Sequence, residues 1–369
     1  MAKLLLIFII VVLGIYFSSS SFATGSLNIR RKTYVYSIII LLILLSGLRN
    51  WAVGSDTYQY YYIFDMVKQD TWENLLDNFI HYEGKDPFYR VFLKVFQVFT
   101  GNYQVYLVFV ATIFMTALGN FILKNTKQIR HAVLAFIIYM GYFYGFFSIT
   151  GIRQTIATAI LLWSFEFIKK KKYLPFVILV AFAGLFHVSA LVFLLVAFLA
   201  NFKKPKQLFI LVLISFPLVF IYKNQLADFL VVTTGTEERF GAFAEQFERG
   251  GSLILTIFHV LLGVISLLLY KNVINIKPAA FRFYNIFALA LFFFPLQWVN
   301  PNAGRIAQYF DIIIMILIPY LLDAFAGRDI YRRRILYAFT VVLFVVLTTF
   351  TITAWDEYKF FWQYMPVPY

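Results

Sequence analysis

The chain contains no cysteine, which excludes thiolate catalysis, zinc–cysteine centres and disulfides together. Charge is also scarce. Only 14% of residues are Asp, Glu, Lys or Arg, against about 25% in a soluble domain, so a disordered chain, a coiled coil and an ordinary soluble enzyme are excluded. Familiar motifs are missing as well. No two aspartates stand at i and i+2, so there is no Asp-x-Asp site for a nucleotide-sugar metal. There is no GxxxxGK[ST] loop for ATP, no HExxH zinc pair and no GxSxG nucleophile elbow.

What is present is apolar. Of 369 residues, 62% are hydrophobic, far above the ~45–50% of soluble domains. Apolar runs lie at 4–22, 34–48, 103–123, 131–148, 152–168, 173–200, 207–222, 253–270, 281–298, 306–323 and 335–353. A spanning helix needs about 20 such residues. The expectation is an all-α polytopic membrane protein with about 11–12 transmembrane helices, forming a single integral membrane domain over 1–369. Run 4–22 follows a lone Lys3, and Ser18 to Ser21 mimic a cleavage region, but so weak a basic flank favours a retained helix.

The charges set an orientation, because Lys and Arg prefer the cytoplasmic side. One set of loops carries Arg30 to Lys32, Lys124 to Arg130, Lys169 to Lys172, Lys203 to Lys206, Lys271 to Arg282 and Arg328 to Arg334. The acids gather on the opposite side, in loops 50–100 and 223–252 and in the tail. Asp86 is one of them. The net charge of +14 is therefore a topology signal, and no nucleic-acid partner is expected. The alternation works if 173–200 crosses twice, as two short helices meeting near Phe186–Ser189, with both termini outside; a single long tilted helix is the alternative. Within the first outer loop, Phe88, Val91, Phe92, Val95, Phe96 and Phe99 form the single stripe of an interfacial amphipathic helix over 86–100. Trp51, Trp298, Trp355 and Trp362 fall at the outer boundary, as an aromatic belt does.

Ionisable residues at the edge of a span are costly and therefore candidates for function. Arg49, Arg153 and Arg305 all fall at the outer face, against the positive-inside bias. Each offers a planar fork that fits phosphate oxygens, and together they suit a diphosphate; snorkelling to headgroups is the structural alternative. His187, at the predicted bend, has a pKa range suited to proton transfer or is a satisfied core residue. Asp56 is either the N-cap of the following helix or a general base or sugar-hydroxyl acceptor. Tyr58, Tyr60, Tyr61 and Tyr62 supply flat faces with hydroxyl edges for sugar rings. Asp311, near Arg305 and Tyr309, is expected to pair with a nearby arginine.

Gly47-Leu48-Arg49, Val53-Gly54-Ser55-Asp56-Thr57 with Tyr60, Ile152-Arg153-Gln154 with Ala157, Phe186-His187-Val188-Ser189-Ala190, and Arg305 with Tyr309-Phe310 together resemble the EpsG family of polysaccharide polymerases, relatives of Wzy-type O-antigen and capsule polymerases. Glu83 to Tyr89 departs from the Glu-Pro-Gly-Phe-like pattern of that family. The resemblance implies a GT-C-like helical fold, no metal and no cofactor. It implies a metal-independent glycosyltransferase of the bacterial inner membrane with its active site facing outward. A growing glycan on undecaprenyl diphosphate would pass to a lipid-linked repeat unit. Asp56 and His187 would be catalytic, and Arg49, Arg153 and Arg305 would bind the diphosphate. Gln154, Thr57, Tyr60 and Tyr309 would bind substrate. The implied partners are the undecaprenyl-diphosphate-linked oligosaccharide and the lipid bilayer, with a chain-length co-polymerase left open. A lipid-linked glycan ligase or a flippase is the rival reading.

Overall fold

The computed structural model describes residues 2–19, 23–54, 57–226, 252–299, 304–350 and 358–364. Asp56, most of loop 223–252 and Trp355 lie outside the described residues. Those described are helical, with no strand among them beyond one antiparallel bridge between Arg49 and Phe360. They group into two compact units, Met1–Leu191 with Arg334–Tyr369, and Val192–Arg333.

The first unit holds α1 (Ala2–Ser18), α2 (Leu27–Gly47), α3 (Thr57–Gln69), α4 (Trp72–Ile80), α5 (Pro87–Phe99), α6 (Tyr103–Asn125), α7 (Ile129–Ile138), α8 (Ile152–Lys169) and α9 (Tyr173–Phe186). Side-chain oxygens start several of them. Ser26 caps α2, Thr71 caps α4, and Asn102 accepts from Gln104 N and Val105 N at the head of α6, satisfying amides that have no intrahelical partner. Helices α2 and α6 touch through glycine. A Cβ on Gly47 would lie 2.8 Å from the Val108 backbone, and one on Gly119 would collide with Ile39. Small residues at such contacts let apolar helices approach closely.

Helix α7 continues as two π-helical turns, Tyr139–Phe143 and Gly145–Thr150. Wide turns of this kind leave carbonyls short of partners, and side chains supply them: Thr155 Oγ1 donates to Phe147 O at 2.8 Å. After α9 the backbone extends at His187 and returns as a 3-10 turn, Val188–Leu194. Leu191 then lies against Gly184, where a Cβ would stand 2.6 Å from it. Two short segments therefore meet at the place the charge alternation required a bend.

Unit 1 has two chemically distinct ends. At one, Arg30 Nη1 reaches Ser18 O at 3.2 Å, Arg31 reaches Thr126 O, and Lys169 Nζ reaches Asn125 Oδ1 at 3.1 Å. The other end joins the C-terminus of α2 to the N-terminus of α6, through Gln104 Nε2 to Gly47 O. The segment around residue 360 also belongs there, with Phe361 N donating to Leu48 O at 2.9 Å and Asn50 N to Lys359 O at 2.8 Å.

The second unit holds α10 (Leu195–Leu199), α11 (Pro205–Ile221), α12 (Leu253–Ile276), α13 (Phe281–Phe293), α14 (Gly304–Asp311) and α15 (Ile314–Ala326). The last helix, α16 (Ile330–Phe350), belongs almost wholly to the first unit. Every apolar run of the sequence is mainly helical where it is described. By length and composition alone, however, among the described residues only Tyr103–Asn125, Leu253–Ile276 and Pro278–Trp298 are long and apolar enough to cross a membrane, and a fourth arises if α14 and α15, bent by 55°, form one span. Most of the others, such as α9 and α11, are broken or short at 10–17 residues. The architecture is that of an all-α membrane protein with many interrupted helices.

The predicted amphipathic helix is α5. Its stripe is shared between protein and surroundings: Phe88 and Phe92 pack on Phe186 with ring centroids 5.2 and 5.0 Å apart, and Phe96 on Phe109 at 5.1 Å, whereas Val95 and Phe99 are exposed.

Candidate functional site

The site forms where the chain before α5 meets the start of α8 and the end of α9. Asp86 precedes Pro87 and adopts a left-handed backbone, φ 52°. A non-glycine residue there costs of order 1 kcal/mol, and Asp tolerates it better than most. The geometry turns the carboxylate away from its own helix, whose amides it does not cap. Asp86 Oδ2 instead accepts from Arg153 Nη1 at 2.9 Å and His187 Nδ1 at 3.2 Å, and Oδ1 accepts from Val188 N at 3.4 Å. The Asp86 side chain is 3% exposed, against 13% for Arg153 and 18% for His187. The carboxylate is thus the buried hub, and its two partners keep access to the outside.

Burial pushes the Asp86 carboxyl up, but the His187 hydrogen bond and the Arg153 charge outweigh it, and the net value lies below the ordinary 3.8. Asp86 is therefore an anion that only accepts. His187 Nδ1 must then carry the proton, so a neutral ring holds its lone pair on Nε2, which has no hydrogen bond among the described residues.

Arg153 is held from several directions. Nη1 also donates to Lys85 O at 3.2 Å, and Cζ stands 5.8 Å from the Tyr60 ring centre and 5.9 Å from that of Tyr89. Its Nε is buried with no hydrogen-bond partner among the described residues. Tyr60 packs edge-on to Tyr89, whose hydroxyl accepts from Tyr106 OH at 3.0 Å. A cation over two aromatic faces, beside an anion and an imidazole, can bind an anionic group next to a sugar ring.

The other expected residues fare differently. Arg49 is 4% exposed, and its Nη groups donate to Ser46 O and, at 3.1 Å, to Ile149 O. It ties the end of α2 to the second π turn. Thr57 is 1% exposed and returns its hydroxyl to Val53 O and Gly54 O at 2.8 and 2.9 Å. Gln154 is buried within α8, one residue from Arg153. Arg305 and Tyr309 belong to the second unit, where Arg305 is exposed and Tyr309 is buried. The structure thus brings Arg153, His187 and Tyr60 together around Asp86, a hub that the sequence offered only as one acid among many. The signal available was an Asp-Pro pair opening an amphipathic helix.

A second pair was also missed. In the second unit His259 Nε2 meets Asp311 Oδ2 at 2.8 Å, Nδ1 meets Leu255 O at 2.7 Å, and the ring stacks on Phe294 with centroids 3.7 Å apart. Asp311, expected to pair with a nearby arginine, thus has His259 as a partner, and the ring is buried in the same apolar surroundings. No group of three metal-ligating side chains occurs among the described residues.

A model of the EpsG family matches residues 32–365 of the chain. No curated protein and no solved structure matches it.

Proposed function

Because this chain belongs to the EpsG family, a family of Wzy-like polysaccharide polymerases, we propose that it lengthens a surface glycan by transfer between lipid-linked substrates at the Arg153–Asp86–His187 site. The donor is a growing glycan on undecaprenyl diphosphate, and the acceptor is a sugar hydroxyl of the next lipid-linked repeat unit. The anomeric C–O bond to the diphosphate breaks as the acceptor oxygen bonds to the same carbon. The hydroxyl proton passes to His187 Nε2, and the electron pair leaves on the diphosphate.

The observation that carries this reading is the Asp86 hub. Asp86 holds the His187 tautomer that presents Nε2 as a base, the role a buried carboxylate plays beside a catalytic imidazole. The same carboxylate fixes Arg153, whose charge offsets the one developing on the leaving diphosphate. Tyr60 and Tyr89 flank that guanidinium and give a sugar ring a flat wall. Arg49, which ties the end of α2 to the second π turn through Ile149 O, is assigned no step, and neither is Arg305. The site lies at the end of unit 1 away from Arg30, Arg31 and Lys169, which by the positive-inside tendency is the outward face of the cytoplasmic membrane, in a GT-C-like arrangement of helices.

The test is a gel of lipid-linked glycans from cells lacking the gene and complemented with wild type or Arg153→Ala. Wild type restores the ladder, and Arg153→Ala at equal membrane abundance leaves single repeat units. A normal ladder from Arg153→Ala defeats the assignment.

A further inference from the structure

The opposite end of unit 1 carries a groove for which polymerisation has no use. It lies between α1, α7 and α16 and encloses about 690 Å3. Helices α1 and α7 approach closely beside it because Gly14 faces Val133, where a Cβ would collide. Arg130, in the first turn of α7, and Arg334, near the start of α16, stand at one end with Ser18, the last residue of α1. Val11 and Val341 line the groove seven residues further along their helices, about 10 Å deeper at 1.5 Å per residue. None of the lining residues is acidic. Arg30 adds a third guanidinium at the same end, its Nη1 3.3 Å from Phe17 O and 3.2 Å from Ser18 O.

We propose that this groove holds one anionic phospholipid, its phosphodiester between Arg130 and Arg334 and an acyl chain along Val11, Val133 and Val341. The occupant follows from charge complementarity. Two guanidinium forks at the head of an apolar channel match a single phosphate on a hydrocarbon tail. A zwitterionic headgroup carries its own cation into that field and gains less. Each basic residue near a lipid phosphate contributes about 1 kcal/mol, so the pair favours an anionic lipid by about thirtyfold.

The experiment is native mass spectrometry of the delipidated full chain with phosphatidylglycerol and, separately, phosphatidylcholine. The expected result is one phosphatidylglycerol bound about thirtyfold more tightly than phosphatidylcholine, with the preference lost in the Arg130→Gln/Arg334→Gln double variant. Ala338→Trp, which fills the groove from α16 and leaves the arginines in place, is expected to abolish the bound lipid, and it carries the test if the double variant does not fold. Equal retention of the two lipids by wild type overturns the proposal. So does phosphatidylglycerol binding unaffected by Ala338→Trp, or its displacement by equimolar polyprenyl phosphate, which would give the groove to the glycan carrier.

Discussion

Replacing Asp86 by Asn tests the hub with the least disturbance to the fold. Asn accepts the left-handed backbone at φ 52° as Asp does, and no helix cap is lost, since the Asp86 side chain caps nothing. What changes is charge. The carboxylate receives Arg153 at 2.9 Å, His187 at 3.2 Å and Val188 N at 3.4 Å, and an amide has only one oxygen to offer them. A hydrogen bond to a charged group contributes about 1.5–3 kcal/mol. Arg153 and His187 retain some access to water, at 13% and 18% exposed, so the lower half of that range applies to each. The expected loss is about 3 kcal/mol, or roughly 150-fold in transfer rate. The assay follows conversion of purified lipid-linked repeat units by membranes containing equal amounts of each variant, with thermal melting as a control. A rate within threefold of wild type, from protein that melts normally, refutes the idea that Asp86 organises the base and the cation.

Four further outcomes are expected. His187→Gln keeps a side chain that hydrogen-bonds but removes the proton acceptor, and its turnover is expected to fall by about 10²–10⁴-fold; activity near wild type would move the base elsewhere. Arg153→Lys keeps the charge but loses the fork and the stacking over Tyr60 and Tyr89, so the glycan ladder is expected to shorten without vanishing, unlike that of Arg153→Ala. The Asp86 carboxyl, depressed in the folded state, contributes stability that is present above its unfolded value of about 3.9 and is lost as pH falls through the lower folded value. Melting between pH 7 and 3 is expected to show an acid-limb loss that Asp86→Asn lacks. Gly54→Ala meets a backbone at φ 106° and a Cβ contact of 2.8 Å to Ile149, costing about 1–3 kcal/mol, read as a lower melting temperature.

Period and charge made the helices legible. Runs of apolar residues long enough to be buried all round leave a chain no alternative to helix in lipid, and the basic and acidic sets predicted which ends face together. The break at His187 was legible because two basic clusters, Lys169 to Lys172 and Lys203 to Lys206, flank too few residues for two full spans. The π-helical turns after Ile138 were not, because part of what holds them is tertiary: Arg49, 100 residues away, takes the Ile149 carbonyl. The three arginines show the same limit. Sequence ranked them equally, yet Arg49 is spent on carbonyls, Arg153 on a carboxylate beside two tyrosines, and Arg305 is exposed in another unit. An arginine takes the acceptors within reach, and those come from segments distant along the chain. Asp86 was obscure for that reason: its partner His187 lies 101 residues away.

The two histidine–carboxylate pairs separate catalytic from structural chemistry by proton counting. Leu255 O only accepts, so His259 Nδ1 is protonated. Nε2 then either donates to an Asp311 anion or accepts from an Asp311 acid. Both arrangements hold the same number of protons and no net charge, which makes the pair tolerable at 0% and 1% exposure inside apolar helices. Neither ring nitrogen is left for a substrate. At Asp86 the balance is different. Arg153 already pairs with the carboxylate, and His187 Nε2 is uncommitted among the described residues. In the proposed transfer, taking up a proton there would raise the site charge by one as the diphosphate departs, so the electrostatic gain would fall on the transition state instead of the resting protein. The sealed pair has no such difference to exploit, which is why the proposal gives the base to His187 and not to His259.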